Sequence, residues 1–190
     1  MYEKLEIIHW PDARLKKTSV AVARFDDRLR LLAKRMFELM REEKGVGLAA
    51  PQVGLNVRLF VMNPTGQEQD DRVYVNPHLT EGDGDEESEE GCLSLPGIYI
   101  SVSRFKTLRI TAMDLDGKPI DEVESGYLAR IWQHETDHLN GVLLTDRMGA
   151  LSKLANRKKL KELEVEFATA HPELVIKPVK KARATRLTRK

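Results

Sequence analysis

The chain is poor in cysteine and has no long apolar run. It contains one cysteine, Cys92, which cannot form a disulfide within the chain and is typical of a reducing compartment. No apolar segment approaches the length that is needed to cross a bilayer. The N-terminal sequence MYEKLEIIHW lacks the basic and then apolar pattern of a secretion signal, and it is not the Arg- and Ser-rich sequence of a transit peptide. We therefore expect a cytoplasmic protein that does not bind membranes.

Charge is balanced over the whole chain but unevenly distributed along it. The 190 residues include 31 Lys and Arg against 30 Asp and Glu, which gives a net charge of +1. Residues 177–190 contain seven basic residues and no acid, whereas residues 81–90 contain seven acids. We interpret the acidic run as a solvated loop. We predict one domain over residues 1–172, followed by a basic C-terminal tail over residues 173–190.

Apolar residues at spacings of three and four indicate three helices. Asp26 and Asp27 favour the N-terminus of the first helix, which ends before Gly45. Ser125 is a candidate N-cap for a second helix that continues through Leu139 and ends at Gly141. The third helix is predicted from about Leu151 to Ala170, where Pro172 follows.

Short apolar, β-branched and aromatic runs predict strands between these helices. Val57–Met62 reads as a buried strand, and Val73–Val75 as another that Asn76-Pro77 stops. The segment from Ile98 to Leu115 predicts two more strands, with Asp116-Gly117 as a tight turn into the next. Helices and strands do not alternate regularly, so we predict the α+β class.

The strongest chemical signal is the sequence His134-Glu135-Thr136-Asp137-His138. On a helix, residues four apart lie on the same face, so His134 and His138 can bind one metal ion. Glu135 lies beside that face and could accept a proton from a bound water. Two ordinary histidines on a half-buried helix are the alternative, but this spacing around a glutamate favours a metal site.

Catalytic sites of this kind use three protein ligands and keep one position for water, so a third ligand is needed. Its identity is less obvious than that of the two histidines. The downstream candidates are poor: Asp146 is close in sequence, and His171 lies near the start of the tail. Upstream, Cys92 lies in the segment Glu90–Ser94, in a turn after the acidic run. A metal would hold its thiol as thiolate, although a buried structural cysteine is equally common.

The glycine-rich segment GVGLAAPQVG at residues 45–54 is the third notable feature. Glycine allows a backbone to approach a ligand closely. The segment has no lysine and is therefore not a phosphate-binding loop. The side-chain amide of Gln52 could stabilise an oxyanion, and the alternative is a simple tight loop.

Together the three segments resemble the peptide deformylase family, whose motifs read approximately GxGxAAxQ, EGCLS and QHExDHLxG. The chain has GVGLAAPQ at 45–52, EGCLS at 90–94 and QHETDHLNG at 133–141. The resemblance spans roughly residues 5–165. It implies a hydrolase that removes the N-formyl group from the N-terminal methionine of nascent polypeptides and releases formate. We expect a single domain with antiparallel or mixed β-sheets around a central metal-binding helix, and a C-terminal helix.

The resemblance also implies the metal site. Cys92, His134 and His138 would hold one divalent ion, with water as the fourth ligand. The family usually works with Fe²⁺, while Zn²⁺, Ni²⁺ or Co²⁺ can occupy the same ligands. The ligand types alone would suggest Zn²⁺, so the sequence leaves the native metal open.

The same resemblance assigns the reaction to three further residues. Glu135 would activate the metal-bound water for attack on the formyl carbon. The developing oxyanion would lie near the metal, the side-chain amide of Gln52 and the backbone N–H of Leu93.

Substrate contacts follow from the motif positions. Val46, Ile131 and His134 are expected to wall the apolar pocket for the methionine side chain. Backbone groups of Val46, Gly47 and Gly91 are expected to pair with an extended N-formylmethionyl peptide, as in strand addition.

Two further interactions are predicted. Arg104 should pair with Glu90 or Asp137 and thereby fix two of the motifs. Some family members dock on ribosomes through a C-terminal segment, so residues 177–190 could contact ribosomal RNA, although a solvated tail is the simpler interpretation. We expect a monomer, but the sequence does not decide the oligomeric state.

Two other functions share parts of this pattern. A metalloprotease that cuts internal peptide bonds would use the same helix and the same glutamate, but it does not explain the upstream cysteine or residues 45–52. A ribosome-associated binding protein with a structural metal would need four protein ligands. The sequence offers only three convincing ones.

Overall fold

The computed structural model describes residues 2–174, so the basic segment at 177–190 lies outside the described residues. Five strands form one antiparallel sheet in the order β1-β2-β3-β4-β5. They are β1 (Gly47–Ala49), β2 (Leu59–Met62), β3 (Arg72–Gly91), β4 (Tyr99–Met113) and β5 (Pro119–Ser125). The helices are α1 (Asp27–Glu42), α2 (Gly126–Leu139), α3 (Leu144–Arg147), α4 (Ala150–Ala155) and α5 (Arg157–Ala170). The predicted α+β class is confirmed, while the domain boundary at residue 172 stays a prediction.

Helix α1 begins where the two aspartates predict. The side chain of Asp26 accepts hydrogen bonds from the backbone N–H groups of Arg28 (3.1 Å) and Leu29 (3.2 Å). Because the first N–H groups of a helix have no partner within the helix, this carboxylate satisfies two of them. The apolar face of α1 packs against β1 and β2.

Strand β2 is buried on both faces because a helix covers each side of the sheet. Leu59 and Val61 pack in the cluster that contains α1, whereas Phe60 and Met62 pack in the cluster that contains α2. Successive side chains of a strand point to opposite faces, so the sheet separates the two helices. The predicted buried strand is confirmed, although it begins at Leu59 rather than Val57.

The acidic run forms part of β3, and the prediction of a solvated loop for residues 81–90 is wrong. Its pairing with β4 runs from Asp83↔Thr107 to Gly91↔Tyr99. Asp, Glu and Gly are poor strand formers, but pairing with a neighbouring strand overrides that weak preference. Residues 81–89 are exposed and Glu90 is buried. The strand therefore delivers one carboxylate to the interior.

The sequence predicted that Asn76-Pro77 stops the strand, but β3 continues through these two residues. The register shifts between Val75 and His78, and Asn76 adopts a left-handed φ of 53°. The side chain of Asn76 accepts from the backbone N–H of Val22 (2.8 Å) and donates to its carbonyl (2.9 Å). These bonds hold a bulge, which absorbs the proline without ending the strand.

The segment after Ile98 contains one strand, β4, where two were predicted. It stays continuous because it pairs with β3 along most of its length and with β5 from Thr107 onward. The predicted turn at Asp116-Gly117 is confirmed, with Gly117 at a φ of 77°.

The predicted C-terminal helix is divided in two. Helix α4 ends at Ala155 and α5 begins at Arg157, with Asn156 between them in a non-helical conformation. Leu163 is buried, but Leu154 is 68% exposed, so the predicted apolar stripe packs only in part. No helix within residues 2–174 is long and apolar enough to cross a bilayer.

Helix α2 lies against the sheet and contacts all five strands. Ser125 occupies the N-cap position as predicted, but its hydroxyl makes no capping hydrogen bond. The helix ends at Leu139, and Gly141 follows with a φ of 72°. Because α2 carries His134, Glu135 and His138, its burial on the sheet fixes where these side chains point.

The Asp26 cap gives a direct test of this local structure. Replacing Asp26 with Ala should lower the free energy of unfolding by about 1 kcal/mol, because two N–H groups lose their acceptor. Asp26→Asn keeps a side-chain oxygen and should cost less than half as much. Urea denaturation followed by circular dichroism measures both. Equal losses in the two variants would contradict the capping role.

Candidate metal centre and cleft

Three of the predicted ligands converge at one point. Ligand atoms of Cys92, His134 and His138 all lie within 4.8 Å of one another, and Cys92 Sγ is 3.2 Å from His138 Nε2. Cys92 follows the end of β3, while the two histidines are one turn apart on α2. A thiolate with two imidazoles suits a divalent transition metal and leaves a fourth position open. The donor set therefore fits the metal that the resemblance implies.

The two alternative ligands do not join this group. Asp146 accepts a hydrogen bond from the backbone N–H of Leu143 (2.8 Å) and pairs with Lys16. His171 lies just beyond the end of α5. The structure thus brings the upstream cysteine, and neither downstream residue, to the histidine pair.

Glu90 organises the surroundings of His134. Its carboxylate contacts His134 Nδ1 (2.9 Å), two guanidinium nitrogens of Arg104 (both 2.9 Å) and Nη1 of Arg130 (2.8 Å). Burial alone would raise the pKa of the Glu90 carboxyl. The hydrogen bonds and charges of His134 and Arg104 together outweigh that effect, so the pKa is well below its usual value. A carboxylate that accepts from Nδ1–H leaves Nε2 free to bind a metal.

Arg104 connects two of the sequence motifs. The sequence predicted a pair with Glu90 or Asp137, and Arg104 contacts both, with Nη1 at 2.6 Å from Asp137 Oδ2. Asp137 also accepts two hydrogen bonds from Arg147 on α3. The predicted pairing is confirmed, and a charge network that is buried at Arg104 and Glu90 joins β3, β4, α2 and α3.

Glu135 lies next to the glycine-rich segment. It is 3% exposed, and its Oε2 has no hydrogen-bond partner among the described residues. Burial raises the pKa of Glu135 to about 7. A Cβ on Gly47 would lie 2.3 Å from Glu135 Oε1, so only glycine leaves room for the carboxylate there. The group can accept and release a proton near neutral pH.

Gln52 is held in one orientation. Its Oε1 accepts the backbone N–H of Ala49 (2.8 Å), so the amide nitrogen must face the other way. There Nε2 lies 3.5 Å from Cys92 Sγ and 3.3 Å from Ser94 Oγ. A fixed N–H donor beside the ligand group has the placement that oxyanion stabilisation requires.

The predicted substrate-binding residues line a single cleft of about 940 Å³. This size falls in the range of small-molecule and peptide pockets. The lining includes the predicted residues Val46, Gly47, Gly91, Leu93, Ile131, Gln52, Cys92, His134 and Glu135. The structure therefore places the proposed substrate contacts and the proposed chemistry in one space, while their individual roles stay predictions.

The cleft also contains residues that the sequence did not indicate, among them Tyr99, Tyr127 and Arg130. The two tyrosines are 61% and 54% exposed, and nothing in the local sequence distinguishes them. Arg130 did carry a signal, since it precedes His134 by four residues and therefore shares its helical face.

The chain is similar to known proteins over most of its length. The sequence model of the family described as Polypeptide deformylase matches residues 4–154. A peptide deformylase of Chromobacterium violaceum is 44% identical over 160 residues, which cover 84% of this chain and 96% of that protein. The crystal structure of a peptide deformylase from Legionella pneumophila is 40% identical with a TM-score of 0.81, covering 86% and 97% of the two chains. That of Plasmodium falciparum is 38% identical with a TM-score of 0.85, covering 87% and 99%.

The buried network gives a stability prediction. Arg104→Met should lower the free energy of unfolding by about 3–5 kcal/mol, because the buried carboxylate of Glu90 and the partly buried carboxylate of Asp137 lose a compensating charge. Arg109→Met is the matched control on the same strand. The guanidinium of Arg109 pairs with Asp121 and Glu81 at the surface, where solvent screens the charges, so its loss should change the free energy of unfolding far less. Urea denaturation measures both, and similar losses would refute the importance of burial.

Proposed function

Since the chain belongs to the polypeptide deformylase family, hydrolases that remove the N-formyl group from nascent peptides, we propose that Glu135 drives this hydrolysis beside a metal ion held by Cys92, His134 and His138. One observation carries the proposal. A buried carboxylate oxygen without a hydrogen-bond partner among the described residues lies in the cleft beside a convergent Cys/His/His group.

The three ligands would hold one divalent ion, which supplies Lewis-acid chemistry and lowers the pKa of a bound water from about 15.7 to near 7. Glu135 accepts the proton of the attacking water. It then returns that proton to the amine of methionine as the bond to the formyl carbon breaks, so that formate leaves.

Two donors stabilise the negative charge that develops on the formyl oxygen. The Nε2–H of Gln52 faces the ligand group because Ala49 fixes the opposite end of the amide. The backbone N–H of Leu93, directly after Cys92, is the second donor that we propose. Each such donor typically contributes about 10²–10³ in rate.

Recognition relies on shape at one end of the substrate and on the backbone at the other. Val46, Ile131 and His134 wall the space for the methionine side chain, and all three line the cleft. Backbone groups of Gly47 and Gly91 pair with the extended peptide, a mode that tolerates many sequences. A formyl group carries only hydrogen beyond its carbonyl, so a tight site excludes acetyl.

We propose Fe²⁺ as the native metal, with Zn²⁺, Ni²⁺ or Co²⁺ as possible substitutes. A thiolate beside Fe²⁺ would make activity sensitive to oxygen through Cys92. A cytoplasmic monomer is expected, and contact with ribosomal RNA through residues 177–190 stays a prediction.

The decisive test compares the wild type with Glu135→Gln. Both proteins are purified anaerobically with Fe²⁺, and formate release from formyl-Met-Ala-Ser is measured. The wild type should release formate. The variant should lose at least about 10²–10⁴ in kcat, because the amide cannot accept a proton, and it should retain one metal ion per chain.

Two controls make that result specific. An N-acetylated peptide and an internal peptide bond should not be cleaved, which separates this function from a metalloprotease. A folded, metal-loaded wild type that releases no formate would overturn the proposal.

A second prediction concerns the space beside Glu135. Gly47→Ala places a methyl group where Glu135 Oε1 lies, so the carboxylate must move. A displacement of about 1 Å typically costs on the order of 10² in rate. We therefore expect kcat/KM to fall about 10²-fold with the metal content unchanged.

Gly149→Ala is the control for this substitution. A Cβ at Gly149 meets no atom within 4 Å, and its φ of −69° suits any residue. Its kcat/KM should equal that of the wild type. If Gly47→Ala is as active as this control, the close approach of the two residues has no catalytic importance.

A further inference from the structure

Arg130 is a buried arginine on the metal-binding helix. It lies one turn before His134, so the two side chains leave α2 on the same face. Its side chain is 8% exposed, and its guanidinium donates to Glu90 Oε1 (2.8 Å), the carbonyl of Val102 (2.9 Å) and the carbonyl of Glu86 (2.6 Å). The guanidinium is therefore hydrogen-bonded to β3 and β4.

Arg130 also lines the cleft, next to Tyr127, Ile131 and His134. The long methylene stem of an arginine can pack as an apolar group while its charged end binds elsewhere. Because the guanidinium is held by the two strands, the stem is the part that is available to the cleft.

We propose that Arg130 is a positioning residue with two separable parts. Its guanidinium holds Glu90 against His134 Nδ1 and so strengthens metal binding. Its stem forms part of the wall of the pocket for the methionine side chain. This inference deepens the proposed function and depends on it for the identity of the substrate.

The division of contacts on Glu90 supports the first part. Arg130 binds Oε1 only, while Oε2 faces His134 Nδ1 at 2.9 Å. Arg104 donates to both oxygens. Without Arg130, Oε1 keeps a single donor among these groups, and the carboxylate is freer to rotate away from His134. Partners of metal ligands at this distance typically contribute 10- to 100-fold to metal affinity.

The shape of the side chain separates the two parts experimentally. Arg130→Met removes the guanidinium but keeps an unbranched apolar stem. Arg130→Ala removes both, and Arg130→Lys keeps the stem and a charge but offers a compact ammonium in place of the planar fork. Arg109→Met, which removes an exposed arginine, is the matched control.

Metal release is the first measurement. Each protein is loaded with Co²⁺, its visible absorption spectrum is recorded, and loss of that spectrum is followed after addition of excess chelator. Arg130→Met and Arg130→Ala should release Co²⁺ about 10- to 100-fold faster than the wild type. Arg130→Lys should lie between them and the wild type, and Arg109→Met should match the wild type.

The second measurement is the KM for formyl-Met-Ala-Ser with saturating Co²⁺. Arg130→Met should stay within about twofold of the wild type, whereas Arg130→Ala should raise KM about tenfold, because burying a few methylene groups is worth about that factor. A residue that only stabilised the fold would alter the unfolding midpoint without this split.

Several outcomes would overturn the inference. Unchanged Co²⁺ release from folded Arg130→Met removes the first part, and equal KM values for the Met and Ala variants remove the second. If Arg130→Met does not fold, unchanged release from Arg130→Lys rejects the first part instead. Faster Co²⁺ release together with no formate from the wild type would leave the metal effect standing and overturn only the proposed function.

Discussion

The ionised carboxylate of Glu90, buried beneath the cleft, is the interaction on which the rest of the structure depends. A buried charge costs several kcal/mol unless nearby groups compensate it. Here two guanidinium groups and one imidazole do so, from Arg104, Arg130 and His134. These three partners come from β4 and α2, so the compensation exists only when strand and helix are docked against β3.

This requirement explains the length of the paired strands. Glu90 is the last but one residue of β3, and Cys92 follows immediately after the strand. Pairing of β3 with β4 through the acidic run therefore places the buried carboxylate and the thiol together. One face of α2 carries both His134, which contacts the carboxylate of Glu90, and His138, which contacts the thiol of Cys92. The docking of β3, β4 and α2 therefore both stabilises the fold and brings Cys92 to the two histidines.

Local periodicity predicted much of the site, and long-range pairing accounts for most of what it missed. The spacing of His134 and His138 fixes their common helical face without any tertiary information. The sequence also predicted that Arg104 pairs with Glu90 or Asp137, but it did not predict the contact of Glu90 with His134. The strand at residues 81–90 could not be predicted, because its acids are poor strand formers and only β4 makes it a strand. Arg130 was missed because a single arginine in an amphipathic helix usually faces solvent.

The proposed catalytic arrangement also departs from what stability alone would favour. Glu135 is buried with one oxygen unpartnered among the described residues, and burial raises its pKa to about 7. Such a group destabilises the fold, since a buried polar atom without a hydrogen bond costs about 1–3 kcal/mol. At Gly47, a larger residue would collide with the carboxylate. Functional sites are where local rules are expected to fail. The network around Glu90 holds the adjacent turn of α2 to the sheet, and its stabilisation offsets the cost of leaving Glu135 Oε2 without a partner among residues 2–174.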